Sequence, residues 1–154
     1  MKILATDLDR TLLPNGSWKA DAEAIGLFNE LTTKQDVLVV YVTGRNQALT
    51  ENAIREYGVR YPVVICGDVG TSIRKNVNGE WQFDEGWISH VRHACPRWDA
   101  AAIRDEVSGI AGMRDQESEH QNQFKQSYYV EHDIKDAVLE QVDERVKGKF
   151  DEVI

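Results

Sequence analysis

Two unbroken apolar runs, Asp36 to Val42 (DVLVVYV) and Pro62 to Cys66 (PVVIC), constrain this chain more than any other feature. Short, β-branched runs without polar interruption are typical of strands covered on both faces, as in parallel sheets. Lys2 to Thr6 reads as a buried strand that precedes them. Helical patterns separate the three. Ala24, Ile25, Phe28 and Leu31 recur at helical spacing within Ala20 to Leu31, and Asn46 to Tyr57 is followed by Gly58 as a stop signal. The β-α-β-α-β order predicts a parallel sheet with helices on its faces.

The pattern changes after Cys66. Gly67-Asp68-Val69-Gly70-Thr71 is a turn-rich break, and Asn78-Gly79 between Thr71–Lys75 and Glu80–Phe83 is a hairpin signal. Asp99 to Val107 reads as a helix, Gly112 to Gln116 and Phe124 to Glu131 as strands, Asp133 to Val146 as a helix, and Phe150 to Ile154 as a further strand. This predicts two units, residues 1–83 and 84–154, the second with mostly antiparallel pairing.

Composition excludes several classes. A net charge of −8 argues against a large nucleic-acid footprint. No apolar run approaches a membrane span, and the first residues lack the apolar core of a signal peptide. Cys66 and Cys95 form neither a disulfide framework nor a Cys-x-x-Cys pair, so a reduced, cytoplasmic setting is expected. His90, His93, His120 and His132 lack metal-ligand spacing.

Ligands of open parallel sheets bind beyond the carboxyl ends of the strands. The first strand ends in Asp7-Leu8-Asp9, the second in Thr43-Gly44-Arg45, the third in Gly67-Asp68. Alternation along a strand puts Asp7 and Asp9 on one side, where their charges repel unless a cation, a proton or a substrate intervenes. A carboxylate can attack phosphorus to form an aspartyl-phosphate. Mg²⁺ would join such a carboxylate to phosphate oxygens. The Thr43 hydroxyl and nearby amides suit a phosphoryl group held in line, and Asp9 suits proton transfer to and from the leaving alcohol.

Asp7-Leu8-Asp9-Arg10-Thr11 matches the DxDxT motif of the haloacid dehalogenase superfamily, and VVYVTGR resembles its second motif, a strand ending in Thr or Ser. DVGTSI and FKQSYYV resemble the sucrose-phosphate-phosphatase-like branch. The resemblance implies an α/β fold: a Rossmann-like parallel core, here partial, with an inserted α/β cap, also partial. It implies a Mg²⁺-dependent phosphatase acting on a sugar phosphate or similar small phosphoester. Asp7 matches the nucleophile and Asp9 the general acid/base, both contributing to the metal site. Thr43, Gly44 and Arg45 match the phosphate-binding turn, and Thr11 matches the motif's supporting threonine. Gln121 and Lys125 resemble a sugar-facing polar segment of the cap. The superfamily's third motif, a lysine, and its fourth, an acidic strand end, are not met before Ile154. The chain therefore reads as the N-terminal portion of such an enzyme, inactive if those groups are indispensable. An unpaired sheet edge, open to self-association, is then expected.

Three alternatives stay open at this point. A phosphosugar mutase would use the same nucleophile. A receiver-like domain would accept phosphate on Asp68 beside the Asp7/Asp9 pair. An inactive interaction fragment would use none of these groups.

Overall fold

The computed structural model describes residues 1–14, 19 and 21–151. The chain divides into two units, Met1–Ile88 and Ser89–Ile154.

The first unit is built on a five-stranded sheet in the order β1 (Lys2–Thr6), β2 (Val37–Val42), β3 (Val64–Gly67), β4 (Ser72–Val77) and β5 (Glu80–Phe83). β1, β2 and β3 are parallel; β4 and β5 are antiparallel additions. Helices α1 (Ala22–Lys34) and α2 (Gln47–Tyr57) make the two crossovers.

Each crossover helix starts on a side-chain cap, which satisfies an amide with no partner inside the helix. Asp21 accepts from the Ala24 amide at 3.0 Å, and Asn46 accepts from the Leu49 amide at 2.8 Å. Gly58 ends α2 with φ 66°, the left-handed stop its sequence position predicts.

The core gathers Ile25 and Phe28 of α1, Ala53, Ile54 and Tyr57 of α2, and Val39 and Tyr41 of β2. Val39 and Tyr41 are two apart and share a face, so both helices pack on one side of β2. Two-sided cover was expected for this run, yet Val42, on the other side, is 47% exposed. β1 also departs from the buried strand its composition predicts. Among the described residues it pairs with β2 alone, at the end of the strand order, and Ile3 is 60% exposed. Apolar content specifies a strand; burial depends on neighbours that a strand's own residues do not encode.

The hairpin turns at Asn78 (φ 54°) and Gly79 (φ 91°), both left-handed as a type I′ turn requires. Helix α3 (Glu85–Ala94) follows. Its signal is local: the Asp84 carboxylate accepts from the Trp87 amide at 2.9 Å.

In the second unit, α4 (Ala100–Val107) and α5 (Lys135–Val146) pack through Val107, Ile110 and Val138 against the antiparallel pair β6 (Met113–Asp115) and β7 (Tyr128–Val130). β7 is shorter than the Phe124–Glu131 strand expected. Asn122 and Lys125 exchange backbone hydrogen bonds in a tight turn, which takes Phe124 and Lys125 out of the ladder. The strand expected over Phe150–Ile154 reaches beyond the described residues; Phe150 and Asp151 are not in a strand.

Candidate active site

The loop after β1 folds around one carbonyl. Leu8 O accepts from the amides of Thr11, Leu12 and Leu13 at 3.3, 3.0 and 2.7 Å, and the Arg10 amide donates to Leu13 O at 2.8 Å. The Leu8 side chain is fully buried in the core. With Leu8 anchored inward, Asp7 and Asp9 on either side of it turn outward. Arg10 pays the conformational cost of the tight loop, with φ 59°.

Asp7 is exposed, one residue beyond the last β1 pairing, Thr6 with Tyr41. The Thr11 hydroxyl donates to Asp7 Oδ2 at 3.0 Å. That bond orients one carboxylate oxygen and leaves the other to point elsewhere. Thr43 lies just past β2, on the neighbouring strand end. It is buried, its amide donates to Cys66 O at 2.9 Å, and its Oγ1 accepts from the Arg45 amide at 3.2 Å. Thr43 is not the cap of α2; Asn46 fills that place.

Arg45, expected at the phosphate, has its guanidinium on Asp9. Nε donates to Oδ2 at 2.9 Å and Nη2 to Oδ1 at 2.7 Å. The Arg45 hydrogen bonds hold the Asp9 carboxyl below the usual carboxylate range, outweighing the opposing effect of partial burial. In return, Asp9 holds the guanidinium charge more firmly.

The loop after β3 closes the third side. The Asp68 amide donates to Arg45 O at 2.9 Å. Asp68 is buried and accepts from the Ser72 hydroxyl at 2.9 Å, so its carboxylate is enclosed in the fold. That enclosure removes the ground for a receiver-like acceptor. Sequence reasoning missed Ser72; the four-residue spacing Asp68–Ser72 was the available signal.

Hard oxygen donors suit Mg²⁺, which commonly takes one or two carboxylates and completes its shell with water and substrate phosphate. The Asp7 carboxylate and the Asp9 backbone carbonyl supply such donors. Among the described residues, no group of three or more His, Cys, Asp or Glu side chains forms a fuller metal cage. The residues present fit a metal shared with a phosphate.

In the second unit, the Gln121 side chain is committed to backbone. Its Nε2 donates to Gln116 O and Ser127 O at 3.1 and 2.8 Å, and its Oε1 accepts from the Ser127 amide at 2.6 Å. It shapes the loop that carries Lys125, which is half-buried at the Asn122–Lys125 turn. Among the described residues, no helix is long and apolar enough to cross a membrane.

The family described as sucrose-6F-phosphate phosphohydrolase matches residues 1–151. A HAD-like hydrolase of Nitrosococcus oceani is 36% identical over 127 residues, 82% of this chain and 34% of that protein. Sucrose-phosphatase 2 of Nicotiana tabacum is 26% identical over 152 residues, 96% of this chain and 34% of that one. The chain thus spans about a third of the length of these relatives. Among solved structures, the sucrose-phosphatase of Synechocystis sp. PCC6803, in complex with sucrose and phosphate, superposes with a TM-score of 0.71 at 19% identity, covering 93% of this chain and 56% of that one. A haloacid dehalogenase-like hydrolase of Bacillus subtilis gives 0.55 at 18% identity, over 94% and 55%. The family match runs over nearly the whole sequence: the chain belongs to the sucrose-6F-phosphate phosphohydrolase family of the haloacid dehalogenase superfamily.

Proposed function

We propose that this chain carries the nucleophile and phosphate-holding part of a Mg²⁺-dependent phosphatase that hydrolyses a sugar phosphate. The observation that carries the reading is the placement of Asp7: exposed beyond β1, with Oδ2 held by Thr11, beside the Thr43-Gly44-Arg45 turn.

In this reading, an Asp7 oxygen attacks phosphorus and the P–O bond to the sugar breaks, giving an aspartyl-phosphate. Once released from Arg45 and protonated from solvent, Asp9 delivers that proton to the leaving oxygen, then takes one from the water that hydrolyses the aspartyl-phosphate. The Thr43 hydroxyl and the Gly44 amide hold the phosphoryl oxygens. Mg²⁺ bound by the Asp7 carboxylate and the Asp9 carbonyl would offset the charge between carboxylate and phosphate. Because Arg45 pairs with Asp9, it orients the acid/base carboxylate, and Asp9 must exchange that partner for the leaving oxygen when it acts. Lys125 is proposed to contact the sugar. Gln121 is proposed to support that loop.

The sugar-phosphate assignment draws on the family description and on the sucrose and phosphate bound by the Synechocystis sucrose-phosphatase. The test is phosphate release from sucrose 6F-phosphate and from p-nitrophenyl phosphate, with and without Mg²⁺, by the chain and by Asp7→Asn. Release that needs Mg²⁺ and disappears in Asp7→Asn is expected. Release that persists in Asp7→Asn contradicts the reading; no release from either ester is the outcome expected if the lysine and acidic motifs not met in this chain are indispensable to turnover.

A further inference from the structure

The segment after β3 is left-handed for three consecutive residues: Asp68 at φ 54°, Val69 at φ 59° and Gly70 at φ 86°. Glycine adopts this region freely. For a β-branched residue it is an outlier, and conformations of that kind persist only where the surroundings enforce them. The surroundings here do enforce it. The Asp68 carboxylate accepts from the Ser72 hydroxyl at 2.9 Å, and Asp68 O accepts from the Thr71 hydroxyl at 2.8 Å. The Trp87 indole donates to Gly70 O at 3.0 Å. Asp68, Thr71 and Ser72 are all buried.

Val69 is the exception, at 68% exposed. Its isopropyl group gains little from core packing, although its backbone carries the strain. The turn presents it at one place. The Asp68 amide bonds to Arg45 O, and a Cβ on Gly67 would lie only 2.8 Å from that same oxygen. Val69 Cγ2 then comes within 4.0 Å of the position a Gly44 Cβ would occupy. An exposed apolar group is thus held against the turn assigned above to the phosphate.

We infer that Val69 is a substrate-contacting residue, an apolar wall for the organic group esterified to a phosphate held at Thr43-Gly44. The inference rests on the phosphatase reading. A phosphate seated at that turn projects its ester oxygen and carbon outward. The C–H face of a sugar ring, or any comparable apolar surface, would meet the Val69 methyls there. Inorganic phosphate is too small to do so.

Two probes separate the contributions, both titrated calorimetrically in Mg²⁺: inorganic phosphate and the non-hydrolysable phenylphosphonate. The proteins are the chain as it stands, Val69→Gly, Val69→Asn and Val69→Ile. Glycine and asparagine accept the left-handed backbone, so both variants are expected to fold, with unfolding temperatures equal to or above that of the parent. Val69→Gly and Val69→Asn should bind phenylphosphonate about tenfold more weakly, with phosphate affinity unchanged, and Val69→Ile should retain the parent's phenylphosphonate affinity. Equal phenylphosphonate affinity in Val69→Gly and the parent overturns the inference. So does a lowered unfolding temperature in both Val69→Gly and Val69→Asn, which would make Val69 a packing residue. If the parent binds neither probe, the phosphatase reading itself fails and takes this inference with it.

Discussion

Arg45 and Asp9, 36 residues apart, are joined by two hydrogen bonds, Nη2 to Oδ1 at 2.7 Å and Nε to Oδ2 at 2.9 Å. The pair fastens the loop after β1 to the turn after β2. It is half-buried, where paired charges contribute modestly: Arg45→Ala should cost about 1 kcal/mol or less of stability. Urea unfolding at neutral pH measures it.

The same pair sets a pH dependence. Arg45 depresses the Asp9 carboxyl below its ordinary value of 3.8, so the folded state binds that proton less readily than the unfolded chain does. The resulting stability is present above 3.8 and is lost as pH falls through the depressed value. Urea midpoints measured downward from pH 6 should fall more steeply below that point in the parent than in Arg45→Ala. Parallel curves would show that the pair contributes nothing.

Thr11 bears on rate more than on stability. Its hydroxyl fixes one oxygen of an exposed carboxylate, where water competes for the bond and its net contribution is about 0.5 kcal/mol. Thr11→Val should leave the unfolding midpoint nearly unchanged and slow phosphate release about fivefold through loss of orientation. Asp9→Asn removes the proton carrier and should slow release by about 10²- to 10⁴-fold. Steady-state assays of both variants, with folding verified by circular dichroism, check the order of the two effects.

Gly67 is required by space. A Cβ there would lie 2.8 Å from Arg45 O, a backbone atom that cannot rotate away. Gly67→Ala should destabilise the fold by about 1–3 kcal/mol. It should also displace the Asp68–Arg45 bond, which a shifted Asp68 amide signal in NMR would report.

β1 bears on association. Among the described residues it pairs with one neighbour and exposes Ile3, and an apolar edge of that kind invites another strand. We expect concentration-dependent self-association in sedimentation velocity, suppressed by Ile3→Lys. A monomer at all concentrations would remove this expectation.

Much of the first unit was legible in the residues because each device is local. Continuous apolar runs gave β2 and β3, Asn78-Gly79 gave the hairpin, and Gly58 gave the end of α2. What was not legible depends on partners distant in sequence. DxDxT cannot say that Arg45 grips Asp9, because that contact needs the crossover from β1 to β2 to be in place. Nothing in Lys2–Thr6 says that the strand lies at an edge. The Asn122–Lys125 turn, which shortens β7, has no Gly or Pro to announce it, and Gln121 reads as a surface polar residue until three backbone partners are found for it. Helix α3 was hidden because its cap, Asp84, directly follows a strand.

The central claim is that Asp7 is the group that meets phosphorus. Beryllofluoride binds an aspartate as a mimic of its phosphorylated form, so ¹⁹F NMR of the chain with Mg²⁺ and beryllofluoride tests the claim without requiring turnover. The account predicts bound fluoride resonances that depend on Mg²⁺, vanish in Asp7→Asn and persist in Asp68→Asn. Bound resonances that survive Asp7→Asn, or that are lost in Asp68→Asn alone, would contradict it.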